Sequence, residues 1–81
     1  MPFDRVATLA DLDALDETEI VDGYCSTQRG DPEPGENRGR AFWHGWRCRM
    51  MDFGEIKADK VHYRLVGEWL ARERSKRRAA L

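Results

Sequence analysis

The side chains best equipped for chemistry are two thiols and two imidazoles. His44 and Cys48 stand four residues apart, one helical turn, and with Cys25 and His62 they make a two-cysteine, two-histidine set. Structural zinc sites draw on closely spaced pairs such as Cys-X-X-Cys, which this chain lacks. No metal site or cofactor is therefore assigned; the cysteines read as small buried apolar residues and the histidines as partly exposed. No serine sits in a nucleophile elbow and no glycine-rich loop is placed to cradle a phosphate. Carboxylates remain: Asp13, Asp16, Glu17, Glu19, Asp22, Asp31, Glu33 and Glu36 crowd one segment. Solvated carboxylates in such a block suit a docking surface better than proton transfer, and the chain is not expected to be an enzyme.

That block is one half of a division which the net charge of -1 conceals. Residues 1–37 hold ten acids against Arg5 and Arg29, a net of -8, whereas residues 38–81 hold twelve bases against five acids, a net of +7. Such halves either fold together and cancel or keep two faces for two kinds of partner. The acids could replace phosphates in a lysine- or arginine-lined groove, or complement a helix N-terminus and otherwise stay solvated. At the other end, Arg72, Arg74, Lys76, Arg77 and Arg78 could contact nucleic-acid phosphates, with Trp69 stacking on a base, or form a solvated helix end. Trp43 and Arg47, at i and i+4 near the rim of the expected core, are of types enriched at binding hot spots. Their alternative is an edge Trp with Arg47 stacked upon it.

The elements that must position these groups are helical. A chain of 81 residues has room for one small core, and although 36% of it is charged, three Trp, two Tyr and three Phe supply apolar surface that disordered chains lack. The start, Met-Pro-Phe-Asp, has neither a basic nor an apolar leader region, and no run is long enough to span a bilayer, so a soluble cytoplasmic protein is expected. Thr8 with Asp11 can open a short turn through Leu15, within a loosely ordered stretch 1–15. Asp16 caps a first main helix over 17–29, and Asp31-Pro32-Glu33-Pro34-Gly35-Glu36 reads as a stiff hinge. Asn37 caps a second helix over 38–52 with Phe42, Trp46, Met50 and Phe53 on its strongest face, ended by Gly54. A third begins at 57–59 and runs past Trp69, with Ala58, Val61, His62, Leu65 and Trp69 on one face, Val66 and Leu70 widening it, and a frayed basic end over 72–81. The fold class is an all-α bundle of three main helices, the first two antiparallel across the hinge. Gly23, Gly45 and Gly67 each precede an aromatic at intervals of 22 residues. Glycine inside a helix costs ~1 kcal/mol relative to alanine, which calls for a packing explanation such as close helix crossing.

With Gly23, Tyr24 and Gly30 on the first helix and Gly45, Trp46, Arg47, Met50 and Asp52 on the second, residues 23–52 resemble the ribosome modulation factor family and related small proteins of phages and mobile elements. Phe42 stands where that family usually has Trp. The resemblance implies a helix pair across a proline-containing linker and contact with ribosomal RNA through a cationic surface. The chain departs from the family in its acidic N-terminal half, in a linker without a Cys-Pro-Tyr element, and in its third helix. Its acidity resembles, in style, small anti-CRISPR inhibitors that occupy DNA-binding surfaces. The expected function is a non-enzymatic interaction protein, monomeric or weakly dimeric, that binds a host protein or ribonucleoprotein complex handling nucleic acid and blocks or modulates it. The alternative is a ribosome modulation factor-like RNA binder, and a third class is an assembly accessory of a mobile element.

Overall fold

The computed structural model describes residues 3–80. Met1 and Pro2 of the expected leaderless start, and Leu81 of the expected frayed end, lie outside the described residues. Helices form where caps are strong. The Thr8 hydroxyl accepts the Asp11 N–H at 3.1 Å and opens α1, Leu9–Asp13. Asp16 accepts the Thr18 N–H at 2.9 Å and opens α2, Glu17–Ser26, with Glu17 and Glu19 in the first turn, where negative charge suits the helix dipole. This helix stops short of the expected residue 29. Thr27 turns extended at φ -82 and ψ 135, and its hydroxyl donates back to the Gly23 carbonyl at 2.6 Å.

A 3-10 turn, Glu36–Arg38, leads into α3, Gly39–Phe53. Asn37 was expected to cap this helix but lies inside the turn, and α3 begins without a side-chain cap behind Gly39 at φ 83. Its C-terminus follows the sequence reading. Gly54 takes the left-handed conformation at φ 81, its N–H donating to Met51 O at 3.0 Å while Glu55 N–H donates to Met50 O at 2.9 Å. This double closure satisfies the last carbonyls of the helix. Asp59 then accepts the His62 N–H at 3.0 Å and opens α4, Lys60–Ala80, which continues through the segment expected to fray. Among the described residues there is no strand, and no helix is long and apolar enough to cross a membrane.

Helices α2 and α3 meet backbone to backbone. A β-carbon on Gly45 would stand 2.1 Å from the Ile20 carbonyl oxygen and 2.7 Å from the Tyr24 nitrogen, and one on Gly23 would stand 2.2 Å from the Phe42 oxygen. Only glycine permits this approach. The Tyr24 hydroxyl donates to Asp52 across the pair, which raises the Tyr24 pKa. Gly67 is different: nothing lies within 4 Å of a β-carbon built there, so packing within the chain does not account for it.

The core gathers on α3. Trp43 is 0% exposed, Met50 2%, and Phe42 and Trp46 each 8%. Residues 42–46 are all buried, so this helix is enclosed on several sides and not along one stripe. The second cover is the segment before α1, where Val6 is buried and the Phe3 ring lies 5.9 Å from that of Trp43. Arg40 fastens it, donating to Asp4 O at 2.9 Å, to Arg5 O at 3.1 Å and to both Asp11 oxygens at 2.6 and 2.7 Å. The linker is laced down by two indoles, Trp43 donating to Glu33 at 3.2 Å and Trp46 to Asp31 O at 3.4 Å.

Candidate functional site

Helix α4 lies over the rest of the molecule without closing on it. Arg5 and Asp59 pair through two 2.6 Å contacts at its start, Arg72 meets Asp13 of α1 at 2.8 Å farther along, and Leu65 between them is its buried residue. These points of attachment leave an open groove of about 760 Å³ bounded by α1, α2, α3 and α4. Leu12, Leu15, Ile20, Val21, Val66 and Trp69 give it apolar walls, and Asp13, Glu17, Arg72, Glu73 and Lys76 line it as well. Val21 and Trp69 on these walls are 50% and 41% exposed. Trp69, expected on one helical face with Leu65, lines this groove and stays exposed where Leu65 is buried.

His44 and Cys48 of α3 and His62 of α4 also line the groove. The Cys48 sulfur lies 3.5 Å from His44 Nε2, the i, i+4 pair noted in the sequence. Burial, with the positive charges of His62, Arg47 and Arg40 nearby, pushes the His44 pKa down to about 4, and burial pushes the Cys48 thiol up to about 11. At neutral pH the pair is a thiol and a neutral imidazole, not the thiolate and imidazolium of a cysteine nucleophile. Cys25 was read as buried and is exposed, turned away from α3, whereas His44 was read as partly exposed and is buried. Among the described residues no three His, Cys, Asp or Glu side chains gather in a way that could hold a metal ion.

The acids expected to form one face are dispersed. Asp13 pairs with Arg72, Asp16 caps α2, Asp31 accepts the Gln28 N–H at 2.8 Å, and Glu33 accepts from Trp43. Glu17, Glu19, Asp22 and Glu36 are exposed and enter no ion pair among the described residues. On α2, Glu17 stands at the groove, Asp22 falls on the side away from α3, and Glu19, one turn before Gly23, stands exposed at the flank of the helix crossing. Of the basic end, Arg72 is held by Asp13 and Lys76 reaches Glu73 at 3.4 Å, leaving Arg74, Arg77 and Arg78 exposed.

Trp43 corrects the sequence reading most sharply. It was placed at the rim as a partner contact, yet it is the most enclosed side chain, covered by Phe3 and donating its N–H inward to Glu33. Arg47, with its guanidinium 5.9 Å from that ring, is half-buried beside it. Sequence reasoning also passed over Arg40, which holds the Asp11 carboxyl below the usual range, and Arg5, whose hydrogen bonds do the same for Asp59. The available signal was the i, i+3, i+4, i+7 set Arg40, Trp43, His44 and Arg47, a second face of the same helix. Phe53 lies between two guanidinium groups, Arg29 at 4.9 Å and Arg49 at 4.5 Å, so those arginines are bound up in aromatic contacts. No family model, curated protein or solved structure matches the chain.

Proposed function

We propose that the protein is a non-enzymatic docking protein of the cytoplasm that binds a host complex handling nucleic acid and blocks or modulates it, in the manner of an anti-CRISPR inhibitor. The observation that carries this reading is the exposed surface of α2, where Glu19 and Asp22 stand outside every ion pair among the described residues, with Glu17 and Glu36 likewise unpaired. Carboxylates left without internal partners on a rigid helix can replace phosphates on a basic surface, and complementary fields of opposite sign speed such encounters. The neutral state of the His44–Cys48 pair supports the non-enzymatic part. In the bundle reading that accompanies this function, residues 31–36 act as the stiff connection that holds α2 and its acids at a set angle to α3.

One observation favours a second reading. Helix α4 continues to Ala80 with Arg74, Arg77 and Arg78 exposed, as a ribosome modulation factor-like RNA binder would require. The two readings separate on two variants assayed against the partner captured from host lysate, across a salt series. Glu19→Lys with Asp22→Lys abolishes binding by an acid-face inhibitor, and Arg74, Arg77 and Arg78→Gln leaves it intact. The reverse pattern, with a flattened salt dependence in the arginine variant, replaces the inhibitor reading by the RNA reading.

A further inference from the structure

Helix α4 has two sides. His62, Leu65, Val66, Trp69, Arg72 and Lys76 turn toward the groove. Half a turn away, at helical spacing on one face, stand Lys60, Arg64, Gly67, Ala71, Arg74 and Arg78, all of them exposed. The bases of the groove side are paired, Arg72 with Asp13 and Lys76 with Glu73, whereas Lys60, Arg64, Arg74 and Arg78 enter no ion pair among the described residues. Glu68, at the edge of the outer face, is the acid nearest them in the helix. The cations are also grouped. Lys60 and Arg64 occupy one end of the face and Arg74 and Arg78 the other, their centres about 21 Å apart along the helix axis. Between them lie only the small residues Gly67 and Ala71, and nothing of the chain comes within 4 Å of a β-carbon built on Gly67.

We infer that this outer face of α4 docks in the major groove of duplex DNA. A helix measures about 10–12 Å across with its side chains, and the B-form major groove is about 12 Å wide. The small centre lets the helix sit deep, while the bases at its two ends reach the phosphates of the strands that wall the groove. Arginines, which supply all but Lys60 of this set, bind phosphate through a planar fork. Duplex RNA fits poorly, because its major groove is too narrow for such entry. A bilayer surface also fits poorly. A helix that lies in one needs an apolar face free to enter it, and here Leu65, Val66 and Trp69 turn to the groove of the molecule itself. The surface is separate from the acids of α2, and its test contains no host protein, so its failure leaves the proposed docking function standing.

Fluorescence anisotropy of a labelled B-form duplex titrated with the full chain, from about 50 to about 200 mM salt, tests it. Phosphate contacts by the four bases give log Kd a slope of about 3.6 against log salt, a loss of roughly 150-fold over that range. Arg64→Gln should lower the slope by about one, and Lys76→Gln, on the groove side, should leave it unchanged. Gly67→Leu fills the centre of the face and should weaken binding about tenfold or more, with helicity by circular dichroism unchanged because the site is open. Ala71→Leu serves as the second centre variant should Gly67→Leu lose helicity. Absence of binding at about 50 mM salt overturns the inference. So does a slope that Lys76→Gln lowers as much as Arg64→Gln, or an affinity that the folded centre variants leave intact. Equal or tighter binding to duplex RNA, phosphatidylserine vesicles or polyglutamate overturns it in favour of that partner.

Discussion

At the crossing of α2 and α3, an added methyl group would meet a carbonyl oxygen at 2.1 Å, while at Gly67 of α4 the same methyl would meet nothing within 4 Å. The two regions share an ingredient, a mid-helix glycine near an aromatic, and use it in opposite ways. Around α3 the chain packs α2 on one side, the segment before α1 on another and the linker, held by the indoles of Trp43 and Trp46, on a third, while His44 and Cys48 face the groove. Helix α4 contributes one buried residue, Leu65, and otherwise rests on ion pairs at Asp59 and Arg72. Stability therefore resides in residues 3–56, and exposed large apolar side chains gather on α4, at Tyr63, Val66, Trp69 and Leu70.

The largest expected effect is at Trp43. Truncation of this fully enclosed indole to Ala should cost ~3–5 kcal/mol, comparable to the whole stability of so small a domain, and chemical denaturation should find the variant largely unfolded. A variant that melts within a few degrees of the parent would mean that α3 is not the centre of the core. Next comes a paired alanine test. Gly45→Ala forces two backbones apart and should lose about 3 kcal/mol, whereas Gly67→Ala, in open helix, should gain roughly 0.5–1 kcal/mol when measured at low protein concentration. Equal signs for the two substitutions would remove the contrast.

The pH dependence reports on the border between the regions, where His44 faces His62. With the folded His44 pKa lowered from 6.5 to about 4, the unfolded chain binds a proton in that window that the folded chain does not. Stability accordingly falls as pH falls from about 6.5 to 4, by about 3 kcal/mol, and rises again with pH. His44→Leu should flatten urea midpoints over this window. Asp11 and Asp59, whose pKa values are lowered by Arg40 and Arg5, act in a separate window: their contribution is present above about 3.8 and is lost below it. The smallest effect is expected at Asp13→Asn, which breaks a pair whose carboxylate is 55% exposed. Global stability should change by a few tenths of a kcal/mol, while amide exchange in α4 beyond Arg72 should quicken. Unchanged exchange would show that the ion pair does not tether the helix.

Much of this arrangement was legible in the residues, and the exceptions share a cause. Periodicity reports one neighbour per helix, and it located α2, α3 and α4, their stops at Gly54 and their start at Asp16, and the close approach at Gly23 and Gly45. It gave α3 a single face, Phe42 to Phe53, and so placed Trp43 at the rim, because the cover over Trp43 is irregular chain from residues 3–6 with no periodicity of its own. The acidic cluster was legible as composition only. Which acids stay free depends on which donors arrive beside them, and neither the Thr18 N–H at Asp16 nor the indole at Glu33 follows from charge counting. Trp69 was placed on one face with Leu65 because the pattern of α4 is amphipathic, but a pattern does not state how far a helix stands from its neighbours.

The Arg40 clamp bears on the order in which the molecule assembles. Its contacts to Asp4 and Arg5 span 36 and 35 residues, whereas α2 and α3 are joined by a short linker and meet at little entropic cost. The helix pair should thus form in the rate-limiting step and the N-terminal arm should fasten afterwards. Arg40→Met would then leave the refolding limb of the chevron nearly unchanged and steepen only the escape from the native state, raising the unfolding rate by most of whatever stability the clamp confers.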